Sequence, residues 1–575
     1  FNNALCENVL IVLVCILNKI PVFLVGKPGC SKSLSIQLLN SNLRGQDSKN
    51  GYFRKLPQLY MVAYQGSESS TSEGILKVFE KAKNYAASNR EGNVMPVVVL
   101  DEIGLAEISK HNPLKALHSL LEPEVPEVAV IGISNWMLDA AKMNRAIHLS
   151  RPEPDIKELI DTAKAINDGF NNNNTNYTGM TDQQLECLAT AYFNYKQSDT
   201  KNFHGLRDYY SLIKTLCRQQ AFSFSSEAVC MAIERNFGGH VNTNAIKTEF
   251  LKQMGSSIVP ENSKTVDLVK QNIHDADARH LMIISENADA VINIITDSIT
   301  GFSPMILQGG CFTNDSSDEY NYSILSKIIL CMESGQCLIL KDLDSIYGSL
   351  YDMLNQNYTY VGKKRNCRIA LGAYSNPMCH VHENFRCIVI MDTKKLDKCD
   401  PPFLNRFEKQ RLSFADVLDA SMIETTQELI GWVTSAAEAN GRYLVPFTFG
   451  IDETFIGYHQ DLIPSLVHKL ARVQVDDIVK AAKKHLIRLL SQEAFIRVNY
   501  CQLNQEEKQF TLSELQETSV ERSSLANYVH HRHGHMFKSL VMTYSSSFTH
   551  VASLVQESVA VKIGSFKTEK DLIKS

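Results

Sequence analysis

Fourteen cysteines are scattered through the 575 residues, and none has the paired C-x-x-C spacing of a zinc ribbon or a thiol redox motif. A disulfide framework belongs to short secreted chains, so reduced thiols and a cytoplasmic location are expected. Basic residues are not in excess: 58 Lys and Arg stand against 63 Asp and Glu, for a net charge of −5. That balance lacks the footprint of a nucleic-acid binder. Long apolar runs are missing too. Leu10 to Leu17 falls short of the roughly 20 residues that a membrane helix needs. It also lacks the basic front and small-residue cleavage site of a signal peptide, so it reads as a buried helix. No sustained heptads occur, which excludes a long coiled-coil stalk. The chain begins with Phe1 rather than Met and reads as a fragment of something longer.

What is present is an ordinary globular composition, 44% hydrophobic and 21% charged. The length allows roughly four domain-sized units. Residues 4–18 look helical, and Val22 to Val25 form a short apolar strand after Pro21. A glycine-rich loop follows, and "SLSIQLLN" continues as a helix. Further strands are expected at 59–64, 94–102, 128–135 and 146–150, with helices from about Glu73 and over 113–123. Strands alternating with helices predict a doubly wound parallel α/β sheet. Residues 155–260 are helical and polar, with "NNNNTN" (171–176) as a surface loop. The pattern then partly repeats: strands at 304–310, 337–344 and 385–392, a helix at 323–335, and "DPPFLNRFEKQ" in parallel with "DAAKMNRAIHL". A repeat of this length is a tandem of domains rather than a solenoid.

The loop "GKPGCSKS" is nearly the phosphate-binding pattern G-x-x-x-x-G-K-S/T. In such a loop backbone N–H groups converge on phosphate oxygens at a helix N-terminus. Gly26, Lys27, Pro28, Gly29, Cys30, Ser31, Lys32 and Ser33 would form the cradle. Lys32 would reach the β- and γ-phosphates and Ser33 a Mg2+ ion. Ser31 replaces the usual glycine, which is tolerable at negative φ and strained at positive φ. "VVVLDE" then sets two acids at the end of a buried strand. Asp101 would hold Mg2+, and Glu102 would polarise the attacking water as general base. Asn135 ends the next strand, where an amide can hold that water or the γ-phosphate.

Loop, acid pair, strand-terminal asparagine and trailing helices together resemble an AAA+ ATPase module. "GKPGCSKSLS", "LDEIGLAE", "GISNWMLDAAKMNRAI" and "FHGLRDYYSLIK" more narrowly resemble the mysterin type of giant ring-finger ubiquitin ligase, with its dynein-like ring of AAA+ modules. The resemblance spans nearly the whole chain, and serine before the P-loop lysine belongs to its pattern. It implies an α/β fold of tandem AAA+ modules, each a parallel-sheet P-loop domain followed by a helical lid. The expected division is 1–154 (active α/β), 155–264 (lid), 265–415 (degenerate α/β), 416–535 (lid) and 536–575 (start of a third module). It further implies that Arg207 is the lid arginine sensing the γ-phosphate. The pairs Asn144-Arg145 and Asn405-Arg406 lie where arginine fingers occur. Arg406 would then complete the site of Lys32, and Arg145 would serve a preceding module.

In the second module "LQGGCFTND" (307–315) is taken as the counterpart of the P-loop, and it has no Lys-Ser/Thr. "KDLD" is taken as the counterpart of the acid pair, with Leu343 in place of the base. That module is therefore expected to be structural. "CHVHENFRC" (379–387) and "HHRHGH" (530–535) match no zinc spacing and read as loop or surface histidines. The expected function is ATP and Mg2+ binding with hydrolysis, in contact with neighbouring AAA+ modules, inside a larger ubiquitin ligase whose catalytic region and ubiquitin machinery lie elsewhere. A nucleotide-binding scaffold and a dynein-type motor are the alternatives.

Overall fold

The computed structural model describes residues 2–517 apart from 90–92, 124, 174–178, 200, 219–225, 256–261, 300–302, 311–316, 372–375, 439–449, 491–497 and 499–500. The expected start of a third module (536–575) and "HHRHGH" lie outside the described residues, as does part of "NNNNTN". The chain divides into two compact units. The first comprises Phe1–Ser285, Gly301–Gly309 and Ser317–Arg411; the second comprises Glu286–Thr300, Gly310–Ser316 and Leu412–Ser575.

Strands β1 (Val22–Gly26), β2 (Gln58–Gln65), β3 (Val94–Asp101), β4 (Ala129–Ser134) and β5 (Ile147–Arg151) build the first sheet. All are parallel, in the order β2-β3-β4-β1-β5. Every residue of β1 and β4 is buried, as expected of strands covered on both faces. The helices Asn3–Leu17 and Lys32–Asn42 cover one face, with Val12, Ile16, Ile36 and Leu39 packed on Leu24, Val99 and Ile131. Ser72–Ser88 covers the other through Ile75 and Phe79. The helix expected over 113–123 is instead a 3-10 turn, Pro113–Ala116, followed by a single α turn, Leu117–Leu120. Asn112 in left-handed backbone and Pro123 confine it, while Leu114, Leu117 and Leu121 still bury.

Among the described residues, five helices follow between Ile156 and Gln253. Leu185, Leu188, Tyr192, Tyr209, Leu212, Phe237 and Phe250 form their common core. Thr181 and Gln184 start one of them with a reciprocal capping box.

The second sheet uses β6 (Leu281–Ser285), β7 (Met305–Gln308) and β8 (Leu338–Lys341). An antiparallel ribbon of β9 (Thr359–Val361), β10 (Lys364–Arg368) and β11 (Met378–Val381) intervenes. Then come β12 (Cys387–Asp392) and β13 (Glu408–Arg411), and the parallel order is β13-β6-β12-β8-β7. His380, from "CHVHENFRC", sits on β11 against the Arg365 carbonyl at 3.0 Å.

The two strand orders superimpose only one way: β6 takes the place of β1, β7 of β2, β8 of β3, β12 of β4 and β13 of β5. Local details agree. Gly66 donates its N–H to the Asp101 carbonyl at 2.8 Å, and Gly309 donates to the Lys341 carbonyl at 2.9 Å. Glu102 and Asp342 both take left-handed backbone, at φ +50° and +52°. This corrects two sequence-based alignments. "LQGGCFTND" follows the counterpart of β2, not of β1. The P-loop position is Glu286-Asn287, between β6 and the helix Ala288–Ser298, and holds neither glycine nor lysine. The acid pair is replaced by Lys341-Asp342, so a lysine stands in place of the first acid, and Leu343 is one residue beyond. β6 carries little sequence signal: its apolar run is short and no glycine turn follows it.

In the second unit, helices Ala420–Ala437, Leu462–Arg472, Ile478–Ile487 and Gln505–Glu517 are present. Leu429, Trp432, Val433, Phe455, Ile463, Val467 and Leu486 fill their core.

Candidate nucleotide site

The loop from β1 into the helix Lys32–Asn42 is shaped by two left-handed residues, Gly29 at φ +96° and Ser31 at φ +56°. Gly29 is required twice over. A Cβ there would also lie 2.7 Å from the Leu206 Cβ of the helix Leu206–Arg218. Ser31 therefore takes the strained alternative of the two that its chemistry allows. Lys32, only 6% exposed, donates to the carbonyls of Gly26 and Lys27, the latter at 2.9 Å, and to Asn135 Oδ1 at 3.3 Å. Burial pulls its ammonium down to about 8, with the Cys30 and Glu102 charges opposing. Lys27 turns outward to pair with Glu153, and the Cys30 carbonyl accepts from Asn8 at 3.3 Å.

β3 and β4 are neighbours in the sheet, so Asp101, Glu102 and Asn135 leave the same edge together. Asn135 uses both ends of its amide: Oδ1 accepts from Lys32, and Nδ2 donates to Glu102 Oε2 at 2.7 Å. Asp101 is pushed up to about 6 by burial and by nearby Asp352, against the Arg368 charge. One of its oxygens accepts the Glu102 N–H at 3.0 Å.

The second α/β sheet contributes to the same site. Arg406, 2% exposed, donates from Nη2 to Glu102 Oε1 at 3.0 Å. Its guanidinium lies 3.5 Å over the Tyr351 ring. Arg145, the matching arginine after β4, instead pairs with Glu122 of its own module at 3.0 Å. Arg207 donates to Asn355 Oδ1, and burial beside Arg406 lowers its guanidinium to about 10. Pro28, Gly29, Ser31, Lys32, Ser33, Asp101, Glu102, Asn135 and Arg207 share one cavity of about 410 Å³ with Asp352, Asn355 and Tyr358. That lies within the roughly 300–1,000 Å³ of small-molecule sites.

Sequence reasoning missed the residues that β10 and the 351–358 segment add. Arg368 bridges two acids, donating from Nε to Asp352 at 2.6 Å and from Nη2 to Asp101 at 3.2 Å. No motif marks it, because its partner is 267 positions away.

With this geometry in view, the likeness to known proteins becomes specific. Residues 1–158 and 270–418 each match an RNF213 AAA domain. The chain belongs to the RNF213 AAA family. It is 35% identical to the Mus musculus E3 ubiquitin-protein ligase RNF213 over 517 residues, 86% of this chain. It is 34% identical to the Homo sapiens protein over 519 residues, again 86% of this chain. The chain spans about a tenth of the length of these relatives. Among solved structures, closed-state Hsp104 with ATPγS and FITC-casein is 14% identical, covering 84% of this chain and 92% of that one, at a TM-score of 0.26. The family assignment agrees with the mysterin-type resemblance of the motifs. It also accords with the architecture: tandem AAA+ modules, each with a parallel α/β sheet and helices. No described helix is long and apolar enough to cross a membrane.

Proposed function

We propose that the first module binds Mg2+-ATP and hydrolyses it, with Arg406 of the second module completing the site. The observation that carries this reading is the chain of contacts Lys32–Asn135–Glu102–Arg406, in which each link is 3.3 Å or less. A phosphate-binding cation, a water-orienting amide and a carboxylate base line one cavity, and a finger from the next module meets that base. The donor set fits the ligand. Lys32 and Arg207 are cations lining the cavity, Ser33 and Asp101 offer hard oxygen ligands, and among the described residues the buried Arg406 Nε has no hydrogen-bond partner.

Bound Mg2+ would neutralise phosphate charge. Ser33 and Asp101 would hold it, and the loop amides and Lys32 would bind the β- and γ-phosphates. Asn135 keeps Glu102 oriented, and Glu102 takes a proton from the attacking water. Arg207 and Arg406 approach the γ-phosphate from the lid and from the second module. As Arg406 turns toward phosphate it leaves Glu102 Oε1, which frees the base. The γ-phosphate is thereby contacted from both modules, and its loss releases both. The second module, with Glu286-Asn287 at the loop position and Lys341 at the metal position, is a structural partner that supplies the finger. In the setting that the relatives suggest, this cycle serves a cytoplasmic ubiquitin ligase whose catalytic region and ubiquitin machinery lie outside this chain.

Glu102→Gln tests the assignment. It keeps the Asn135 contact geometry but removes the base. Turnover should fall by roughly 10²-fold or more, with fluorescent-nucleotide binding retained. Unchanged turnover in this variant would refute Glu102 as the base; absence of nucleotide binding by the natural chain would refute the site itself.

A further inference from the structure

Two arginines of the second module enter the first module's site, and the finger reading uses only one. Arg368 is the other. Its Nη2 rests on Asp101 Oδ2, the oxygen left over once Oδ1 has accepted the Glu102 N–H. Oδ2 is thus the oxygen best placed to face a metal ion, and a guanidinium already covers it.

We infer that Arg368 is a gate on the metal ligand Asp101: a divalent cation must displace it, and the displacement carries metal loading of the first module into the β9–β11 ribbon of the second. The inference rests on the nucleotide-site reading of Asp101. A guanidinium keeps its charge at any working pH, so it cannot yield by losing a proton. It can only move. The two contacts show which way. The bond to Asp352 is 2.6 Å and that to Asp101 is 3.2 Å, so Asp352 is the firmer anchor and Asp101 the contact given up first. Among the described residues the buried Arg368 Nη1 has no hydrogen-bond partner, which leaves a donor for an oxyanion once the side chain turns.

Where the movement leads is also visible. Asp352 follows Tyr351, whose ring underlies Arg406 at 3.5 Å and whose carbonyl accepts from Arg406 at 3.5 Å. Asp352 also accepts from Asn357 at 3.1 Å, and Asn357 accepts from Gln37 of the helix that starts at Lys32, at 2.7 Å. A guanidinium swinging on Asp352 therefore acts on the platform of the finger. Metal arrival at Asp101 and finger release from Glu102 become linked events. The plainer role, neutralising two buried acids, predicts no such movement.

The test uses the full chain with a fluorescent ADP analogue, titrated with Mg2+ after EDTA, and backbone hydrogen exchange over 358–368. In Arg368→Gln the Mg2+ concentration needed for half-maximal nucleotide retention should drop by about tenfold, since a competing unit charge is gone. Arg368→Lys keeps the charge and should stay near the natural chain. In the natural chain Mg2+ with ADP should speed exchange at Lys364–Arg368 relative to ADP with EDTA, and Arg368→Gln should erase that difference. If Arg368→Gln does not fold, the exchange measurement on the natural chain decides alone. Equal Mg2+ requirements, or exchange in β10 indifferent to the metal, would overturn the gate while leaving the nucleotide site standing. A natural chain that retains no nucleotide would overturn both.

Discussion

At Ser31 the backbone stands at φ +56° and ψ 19°, a conformation that costs a residue with a side chain about 1–2 kcal/mol. The loop keeps its fold because Lys32 and the succeeding helix hold it from one side and Gly29 fits under Leu206 from the other. Ser31→Gly should relieve more than the roughly 0.5–1 kcal/mol of chain entropy that glycine loses on folding. The expected result is a small rise in the urea midpoint of the first unit, with nucleotide binding intact; a fall would mean that the Ser31 side chain contributes something the contacts do not reveal. Loop, acid pair and Asn135 could be found in the sequence because local chemistry demands those residue types in fixed order. Arg368, Asp352 and Asn355 could not. Each acquires its place only when a second sheet is set beside the first, and nothing adjacent in the chain marks the event.

Elements repeat this contrast. β1, β3 and β4 are unbroken apolar runs with a chemical punctuation mark at the end, and their bounds were readable. β6 and β13 carry no comparable strand signal. β6 lacks the glycine turn that flagged β1, and β13 (Glu408–Arg411) is polar throughout. Its polarity has a physical reason. Lys409 meets Asp208 at 3.0 Å, and Glu408 meets Arg235 at 3.0 Å, both within the buried joint between the first module's helices and the second sheet. Arg279 also reaches Asp208, at 2.9 Å. Burial lowers Lys409 to about 8. Burial works against the charge of Asp208 too, but the two cations overcome it and lower its pKa. His204 sits in the same joint. Its Nδ1 pairs with the Tyr195 hydroxyl at 2.8 Å and its Nε2 with the Gly238 carbonyl at 3.1 Å. A carbonyl only accepts, so Nε2 carries a proton. Burial, then Lys409, hold its pKa well below the ordinary 6.5. The unfolded chain takes up the second ring proton first, so the contribution is complete above about pH 6.5 and is lost as pH falls. Unfolding free energy should decline from pH 7.5 to 5.5, and His204→Gln should flatten the decline. An identical slope in the variant would show that this ring does not govern it.

For the whole molecule, tandem organisation was apparent from the repeated "NR" pairs, whereas the register between repeats needed the two strand orders. That register strengthens the view of the second module as a partner. It carries Lys341 at the position of Asp101, yet it sets Arg406 against Glu102 and Arg368 against Asp101 of its neighbour. Under the proposed function, such a division makes hydrolysis in the first module depend on contact with the second. The most direct measurement is single-turnover γ-phosphate release by Arg406→Lys, which keeps a buried cation near Tyr351 but loses the fork that reaches Glu102. The prediction is a rate lower by about 10³-fold or more, with nucleotide affinity near that of the natural chain. Release at the natural rate would contradict the shared site.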